Sequence, residues 1–259
     1  TSGKRRRSVR GAIAVRSRSG RLVVAARMAL DDYLAGTLSS EARSVDPREY
    51  LIALQVLQRN YVRTHRQRHA PYADVCDNTH CQLFHGLATS PRMRSIARDA
   101  SVIALESDGS MPCYYSANCG GSSLTPARVW GANEQGYSVV VCNDCRNSRW
   151  HRWTRTIEAS PRAIAALADA PAAPFVDDDF KIRVGRSIGF NAVPSNTVDR
   201  IERRGRSFRI TGRGFGHRVG MCQDGARELA LRGVNAKQIL KRYFPAATIL
   251  VTPPTTATP

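Results

Sequence analysis

Fourteen residues near the end of the chain, Gly212–Gly225 (GRGFGHRVGMCQDG), hold five glycines and one histidine. Glycine lets a backbone enter conformations closed to other residues, lets it approach a ligand closely, and leaves its N–H groups accessible. A run this dense belongs to a tightly turned strand or to a loop against a ligand. It is not a phosphate-binding P-loop, because no Gly-Lys-Ser/Thr follows, and the spacing does not fit a dinucleotide fingerprint. A purely structural turn is the alternative. The segment leads into a helix expected over Gln223–Leu231.

The remaining pattern mixes helices and strands. Asp46, Pro47 and Glu49 read as N-cap, first turn and capping-box partner of a long helix. Leu51, Leu54, Leu57 and Tyr61 then recur at helical spacing to about Arg66. Ser90-Pro91 and Ser160-Pro161 open two further helices, and Asn235 caps a last one ending near Tyr243. Ala12–Val15 and Leu22–Ala26 flank Ser19-Gly20 as a hairpin. Val102–Glu106 and Met111–Ala117 flank Asp108-Gly109 as another. Phe180–Val184, Thr197–Glu202 and Ser207–Ile210 read as strands. No regular βαβ alternation or internal repeat is present, so the expected class is α+β, with mixed helices and antiparallel strands. The expected organisation is a basic arm over residues 1–20, one domain over 21–250 and a disordered tail over 251–259.

The net charge of +18 on 259 residues is nearly all arginine. It calls for a polyanionic partner, and arginine's fork suits carboxylates as well as phosphates. No apolar run reaches the roughly 18–20 residues that a membrane-spanning helix needs. The chain starts at Thr1 without a charged-then-apolar leader, which leads to the expectation that a leader or anchor lies outside it.

Seven cysteines are present, an odd number. Cys76, His80 and Cys81 form a C-x3-H-C cluster whose thiolates and imidazole are zinc-ligand types; disulfide or free thiols are the alternative. Cys142-x2-Cys145 fits a disulfide, a redox pair or half of a metal site. Glu41, after two serines, is a candidate general acid. Arg59 lies on the long helix, where it would orient a carboxylate or a sugar, or simply face solvent.

Taken in order, these pieces resemble the stage II sporulation protein D family (SpoIID/LytB). Tyr33-Leu34-Ala35-Gly36 with Ser40-Glu41 is similar to the family's "YL.G....SE". Ala53–Val56 with Arg59 and Tyr61 is similar to "AQAV..RTY", and Cys76-Asp77 with His80-Cys81-Gln82 to "CD..HCQ". Cys119-Gly120-Gly121 with Val129-Trp130 resembles "GG.T....VW". Gly212–Ala226 resembles "G.GFGHGVGMSQ.GA", and Ile239-Leu240 with Tyr243-Phe244-Pro245 resembles "IL..YYPG". Three positions depart from the pattern: Asn60 for threonine, Arg218 for glycine and Cys222 for serine. Arg218 is expected to narrow or recharge the cleft. Cys222 raises a link to Cys119, or a metal site shared with the Cys76 cluster.

The resemblance implies an extracytoplasmic lytic transglycosylase that cleaves peptidoglycan glycan strands stripped of stem peptides. It implies Glu41 as acid/base, with Arg59 positioning Glu41 or the substrate. Gln55, Tyr61, Ser116, Gly120, Gly121, His217 and Gln223 become the candidate sugar contacts. No cofactor is required by this chemistry; zinc at Cys76, His80 and Cys81 is the candidate metal. Peptide-free glycan is itself a polyanion, which gives the charge a specific partner. Two other readings stand beside it: a non-catalytic wall-binding module that enhances a cell-wall amidase, and a nucleic-acid-binding protein. Nucleic acid is not expected, because no aromatic-basic recognition motif accompanies the charge.

Overall fold

The structure, a computed structural model, describes residues 6–251. The start of the basic arm, Lys4 included, and the tail from Thr252 lie outside the described residues. In chain order the elements begin with β1 (Ala12–Arg18), β2 (Arg21–Arg27), α1 (Leu30–Glu41), α2 (Arg48–Thr64), α3 (Pro91–Asp99) and β3 (Ile103–Glu106). There follow β4 (Tyr115–Ser116), α4 (Pro126–Trp130), β5 (Arg152–Glu158), α5 (Pro161–Leu167), β6 (Phe175–Val176) and α6 (Asp178–Ile188). The last are β7 (Thr197–Arg204), β8 (Ser207–Arg213), β9 (Met221–Cys222), α7 (Gln223–Leu231), α8 (Ala236–Tyr243) and β10 (Thr248–Val251). The class is α+β, as the pattern of the sequence indicates.

Contacts divide the chain into two units. Among the described residues the first holds 6–113, 235–237 and 248–251, the second 114–234 and 238–247. Residues 12–18, which lie within the expected 1–20 arm and include the run Ala12–Val15 read as one side of a hairpin, form strand β1 in the first unit.

In the first unit β1 and β2 pair antiparallel, Ala12 opposite Arg27 and Arg18 opposite Arg21. Ser19 and Gly20 both have positive φ, 47° and 73°, the geometry of the tight hairpin turn that Ser-Gly signals. Helix α2 is the centre of this unit: every residue from Tyr50 to Tyr61 is buried, polar ones included. Its expected cap is different. Asp46 turns back to accept the Arg43 N–H at 2.9 Å and the Arg43 guanidinium at 3.0 Å, and Pro47 holds the cap position with no side-chain bond. Glu49 accepts the Ala236 N–H at 2.9 Å and so serves the start of α8 instead. Ser90 caps α3 as expected, accepting the Met93 N–H.

The Asp108-Gly109 turn forms, bridging Ser107 and Ser110, but its flanks do not pair with each other. Strand β3 pairs with β10, Ile103 opposite Val251, and β4 pairs parallel with β9, Tyr115 opposite Met221. A turn signal fixes local reversal only; the ladder goes to whichever strand buries the better face.

The second unit contains an antiparallel sheet in the order β5-β8-β7-β6. Its core joins Trp153, Leu167, Phe180, Val184, Val198 and Ile210. Phe180–Val184, expected as a strand, lies instead in α6. Asp177 caps that helix, accepting the Phe180 N–H at 2.8 Å, and Phe180, Val184 and Ile188 recur four apart on its inner side. A short apolar run carries both periods, and the cap decides between them. At Gly212 any Cβ would stand 2.3 Å from both the Thr197 carbonyl and the Trp153 ring, so the strand can cross there only as glycine.

Phe180→Ala should cost about 3–5 kcal/mol in urea unfolding, the usual penalty for emptying a buried aromatic site. Leu231→Ala, at a position 63 % exposed, should stay within about 0.5 kcal/mol.

Candidate functional site

Helix α1 ends on Glu41, in a segment that the sequence shows only as a short apolar run. Its last turn is laced to the irregular stretch 82–86. Ser40 Oγ donates to the Gly36 carbonyl at 2.7 Å and accepts the His85 N–H at 2.9 Å. The Leu83 N–H donates to Glu41 Oε1 at 3.0 Å. Gln82, wholly buried, donates to the Gln58 carbonyl at 3.1 Å and accepts from the Tyr33 hydroxyl at 3.1 Å. Tyr33 also stacks on Phe84 with centroids 5.5 Å apart. Burial first, then the neighbouring Cys81 and Glu41, push the Tyr33 phenol well up, so it remains a donor. Glu41 is thus a half-buried carboxyl with one oxygen fixed by a backbone N–H.

Cys76, His80 and Cys81 do come together, and His69 joins them; the four ligand atoms lie within 4.8 Å of one another. His69 Nε2 is 3.2 Å from Cys81 Sγ. His80 Nδ1 is 3.7 Å from both Cys76 Sγ and Cys81 Sγ. His80 is pushed below the usual imidazole range by burial, then by Arg68 and His69, which favours the neutral, metal-binding form. The sequence missed His69, seven residues upstream of Cys76; a further histidine just before the Cys76-x3-His80-Cys81 string was the available signal. Two thiols and two imidazoles in one envelope match a tetrahedral zinc set.

Arg59 lies elsewhere than beside Glu41. Its guanidinium donates to the Ala100 carbonyl at 2.8 Å and to the Ile103 carbonyl, and burial lowers it to about 10. Tyr61 donates to the His80 carbonyl at 3.4 Å and stacks on His65 at 4.1 Å, under the four-ligand loop. Gln55 is fully buried and donates to Gln58 at 3.3 Å. All three therefore support the fold around Glu41 and the cluster.

The other sequence candidates lie in the second unit. Ser116 Oγ donates to the Phe215 carbonyl at 2.6 Å and accepts the Arg218 N–H at 3.0 Å, pinning the Gly-rich strand. Gly120 and Gly121 have φ of 65° and 104°, and a Cβ on Gly120 would come 2.7 Å from the Gly214 nitrogen. Their place is the close passage of two backbones. His217 is different. Its Nδ1 accepts the Val219 N–H at 3.0 Å, which puts the ring proton on Nε2. The ring lies 5.1 Å from Trp130 and 6.2 Å from Tyr114. Trp130, itself 39 % exposed, donates its indole N–H to Asp178 Oδ2 at 3.2 Å. Asp178 Oδ1 and Gln223 Nε2 are buried without a hydrogen-bond partner, polar atoms of the kind a sugar hydroxyl satisfies. Asp178 and Trp130 were not singled out as ligand contacts, because their chain separation hides their meeting.

Arg218 is buried and turned inward, so it recharges no open surface. It adopts a φ of 65°, the left-handed region where glycine is at ease. The strain is offset by bonds from its guanidinium to the Cys119 carbonyl at 2.6 Å, the Ser122 carbonyl at 2.9 Å and Thr197 Oγ1. Cys222 gathers with Cys119, Cys142 and Cys145, not with the Cys76 cluster.

Comparison with known proteins bears on the first unit most directly. Residues 18–106 match the family model described as SpoIID, stage II sporulation protein. The match takes in Glu41, helix α2 and the Cys76–Cys81 loop. The chain is also similar to an uncharacterized protein of Brachyspira hyodysenteriae, 26% identical over 249 residues, covering 86% of this chain and 67% of that one.

Burial, opposed by Asp178, lowers His217 from 6.5 to about 4. As pH falls the unfolded chain therefore takes up this proton first, so the stability that His217 contributes is whole above pH 6.5 and lost on the way down to pH 4. Between those values wild type should lose at most about 3 kcal/mol more than His217→Gln, read from urea midpoints along a pH series.

Proposed function

With residues 18–106 a SpoIID domain, of a family associated with cell-wall lytic activity, we propose that the protein is a peptidoglycan lytic transglycosylase with Glu41 as its acid/base. The observation that carries this reading is the Leu83 N–H bond to Glu41 Oε1 at 3.0 Å. It holds one oxygen of a half-buried carboxyl at the end of α1, which positions the group for proton transfer.

In this mechanism the protonated Glu41 donates to the glycosidic oxygen between N-acetylmuramic acid and N-acetylglucosamine. The C1–O bond breaks as oxocarbenium-like charge develops at C1. The Glu41 carboxylate then takes the proton from the C6 hydroxyl of the same muramic ring, whose oxygen closes on C1 as a 1,6-anhydro sugar. One carboxyl serves both steps because the nucleophile is internal, unlike the two-carboxylate hydrolases. Arg59 acts at a distance, holding α2 to the backbone at Ala100 and Ile103. In the second unit the neutral His217, the half-exposed Trp130 and Asp178 offer an aromatic face with a polar carboxylate beside it, the chemistry of a sugar subsite.

His69, Cys76, His80 and Cys81 would hold zinc. Bound there, the metal supplies a cross-link that fixes the 69–81 loop, two residues before the N–H that holds Glu41. The substrate in this reading is peptide-free glycan, whose lactyl carboxylates match the net charge of +18 and make binding salt-dependent. The proposed location is outside the cytoplasm.

Glu41→Gln should lower the release of anhydro-muramic ends from denuded peptidoglycan by roughly 10²–10⁴-fold, followed by mass spectrometry, with glycan binding unchanged. Wild type that binds the glycan yet yields no such ends would overturn the lyase reading in favour of a wall-binding enhancer of an amidase. Cys76→Ala with His80→Ala should lower kcat with little change in KM, because the cluster orients Glu41 and does not touch sugar.

A further inference from the structure

Four cysteines of the second unit come from three separated stretches. Cys119 lies in the loop after β4, Cys142 and Cys145 flank Asn143-Asp144, and Cys222 is the N-cap residue of α7. All four are buried free thiols, and their sulfurs lie within 4.8 Å of one another. Cys119 Sγ and Cys145 Sγ are 3.6 Å apart. A tetrahedral ion with Zn–S bonds of about 2.3 Å sets its sulfurs roughly 3.8 Å apart, within this envelope. The envelope is too tight for an iron–sulfur cluster, whose irons and sulfides would have to fit between the ligands.

The surroundings are built for thiolates. Cys222 Sγ accepts the Cys119 N–H at 3.3 Å and the Gly225 N–H at 3.4 Å. Cys142 Sγ lies 3.2 Å from the Tyr243 hydroxyl, and Cys145 Sγ lies 3.5 Å from His151 Nδ1. Donors aimed at ligand sulfurs are the outer shell that metal thiolates require. A divalent ion with four thiolates carries a net negative charge. The buried Arg218 guanidinium on the Cys119 carbonyl and the N-terminus of α7 at Cys222 both oppose that charge. Gly225 makes room for it: a Cβ there would stand 2.5 Å from Cys142 Sγ.

We propose that Cys119, Cys142, Cys145 and Cys222 bind a single zinc ion as a tetrathiolate, a structural site apart from the His69, Cys76, His80, Cys81 set. On binding, four S–H bonds are replaced by four Zn–S bonds and the protons pass to solvent. The ion ties the Cys119–Gly121 loop and the Cys142–Cys145 knuckle to the start of α7, and so fixes the Cys222 end of the His217–Gln223 stretch. This inference does not depend on the lyase reading.

The test starts from the full chain carrying Cys76→Ala and His80→Ala, which removes ligands of the other set. Purified under anaerobic conditions, it should retain one zinc per chain by elemental mass spectrometry. Adding Cys142→Ala and Cys145→Ala should abolish that zinc. Because a misfolded variant would also lose metal, the unmutated chain supplies the second measurement. Iodoacetamide labelling of Cys119, Cys142, Cys145 and Cys222, read peptide by peptide, should be slow in native protein and fast once a chelator is added. A folded Cys76→Ala/His80→Ala chain without zinc, labelling indifferent to chelator, or disulfides among these four cysteines would each overturn the proposal.

Discussion

Helix α2 is buried from Tyr50 to Tyr61, yet it carries Gln55, Gln58, Arg59 and Asn60. Polar groups in such a place are costly unless they are bonded. Gln55 Oε1, Gln58 Nε2 and Asn60 Oδ1 are left buried without a partner among the described residues. Arg59 donates to the carbonyls of Ala100 and Ile103, Asn60 to those of Leu105 and Pro112, and Gln55 to Gln58, whose main-chain carbonyl accepts from the Gln82 amide. Those bonds place the two segments on which the first unit depends. One leads into β3, and the other is the 82–86 stretch that grips Ser40 and Glu41. The carboxyl at the heart of the proposed chemistry is therefore tied to α2 through the 82–86 stretch, by Gln82 on Gln58 and Leu83 on Glu41.

The second unit meets a different constraint with similar means. Here backbones pass so close that glycine is required, at Gly120 beside Gly214 and at Gly212 beneath Trp153. Such passages bury main-chain carbonyls, and Arg218 satisfies those of Cys119 and Ser122. The same crossing brings four thiols into one envelope. Close packing, an inward arginine and a cysteine cluster are parts of one arrangement. It leaves His217 neutral and semi-enclosed beside Trp130 and Asp178.

Much of the local structure was legible because it rests on signals that act over a few residues. Ser90-Pro91 and Ser160-Pro161 start helices, and Ser19-Gly20 turns a hairpin. Where two short-range signals compete, the sequence misleads: Phe180–Val184 satisfies both periods until Asp177 caps a helix, and Asp46 has a nearer partner in Arg43. The site was legible in its residue types, Glu41 and the Cys76-His80-Cys81 string above all. The roles of Arg59, Ser116 and Arg218 were not, since their side chains bond to backbone 41 positions away at Ala100 and 99 positions away at Phe215 and Cys119.

The sequence by itself determined the α+β class, most helix starts, the resemblance borne out over residues 18–106 and the identity of the carboxylate offered for acid/base work. Spacing along the chain is enough for these, because caps, periods and turn chemistry are local. Only the tertiary structure decided that Glu41 is held by Leu83, that His69 completes a four-ligand set, that Asp178 meets Trp130, and that Cys119, Cys142, Cys145 and Cys222 converge. Each of these joins residues distant in sequence, and the burial of α2 and the glycine crossings, not any local preference, bring them together.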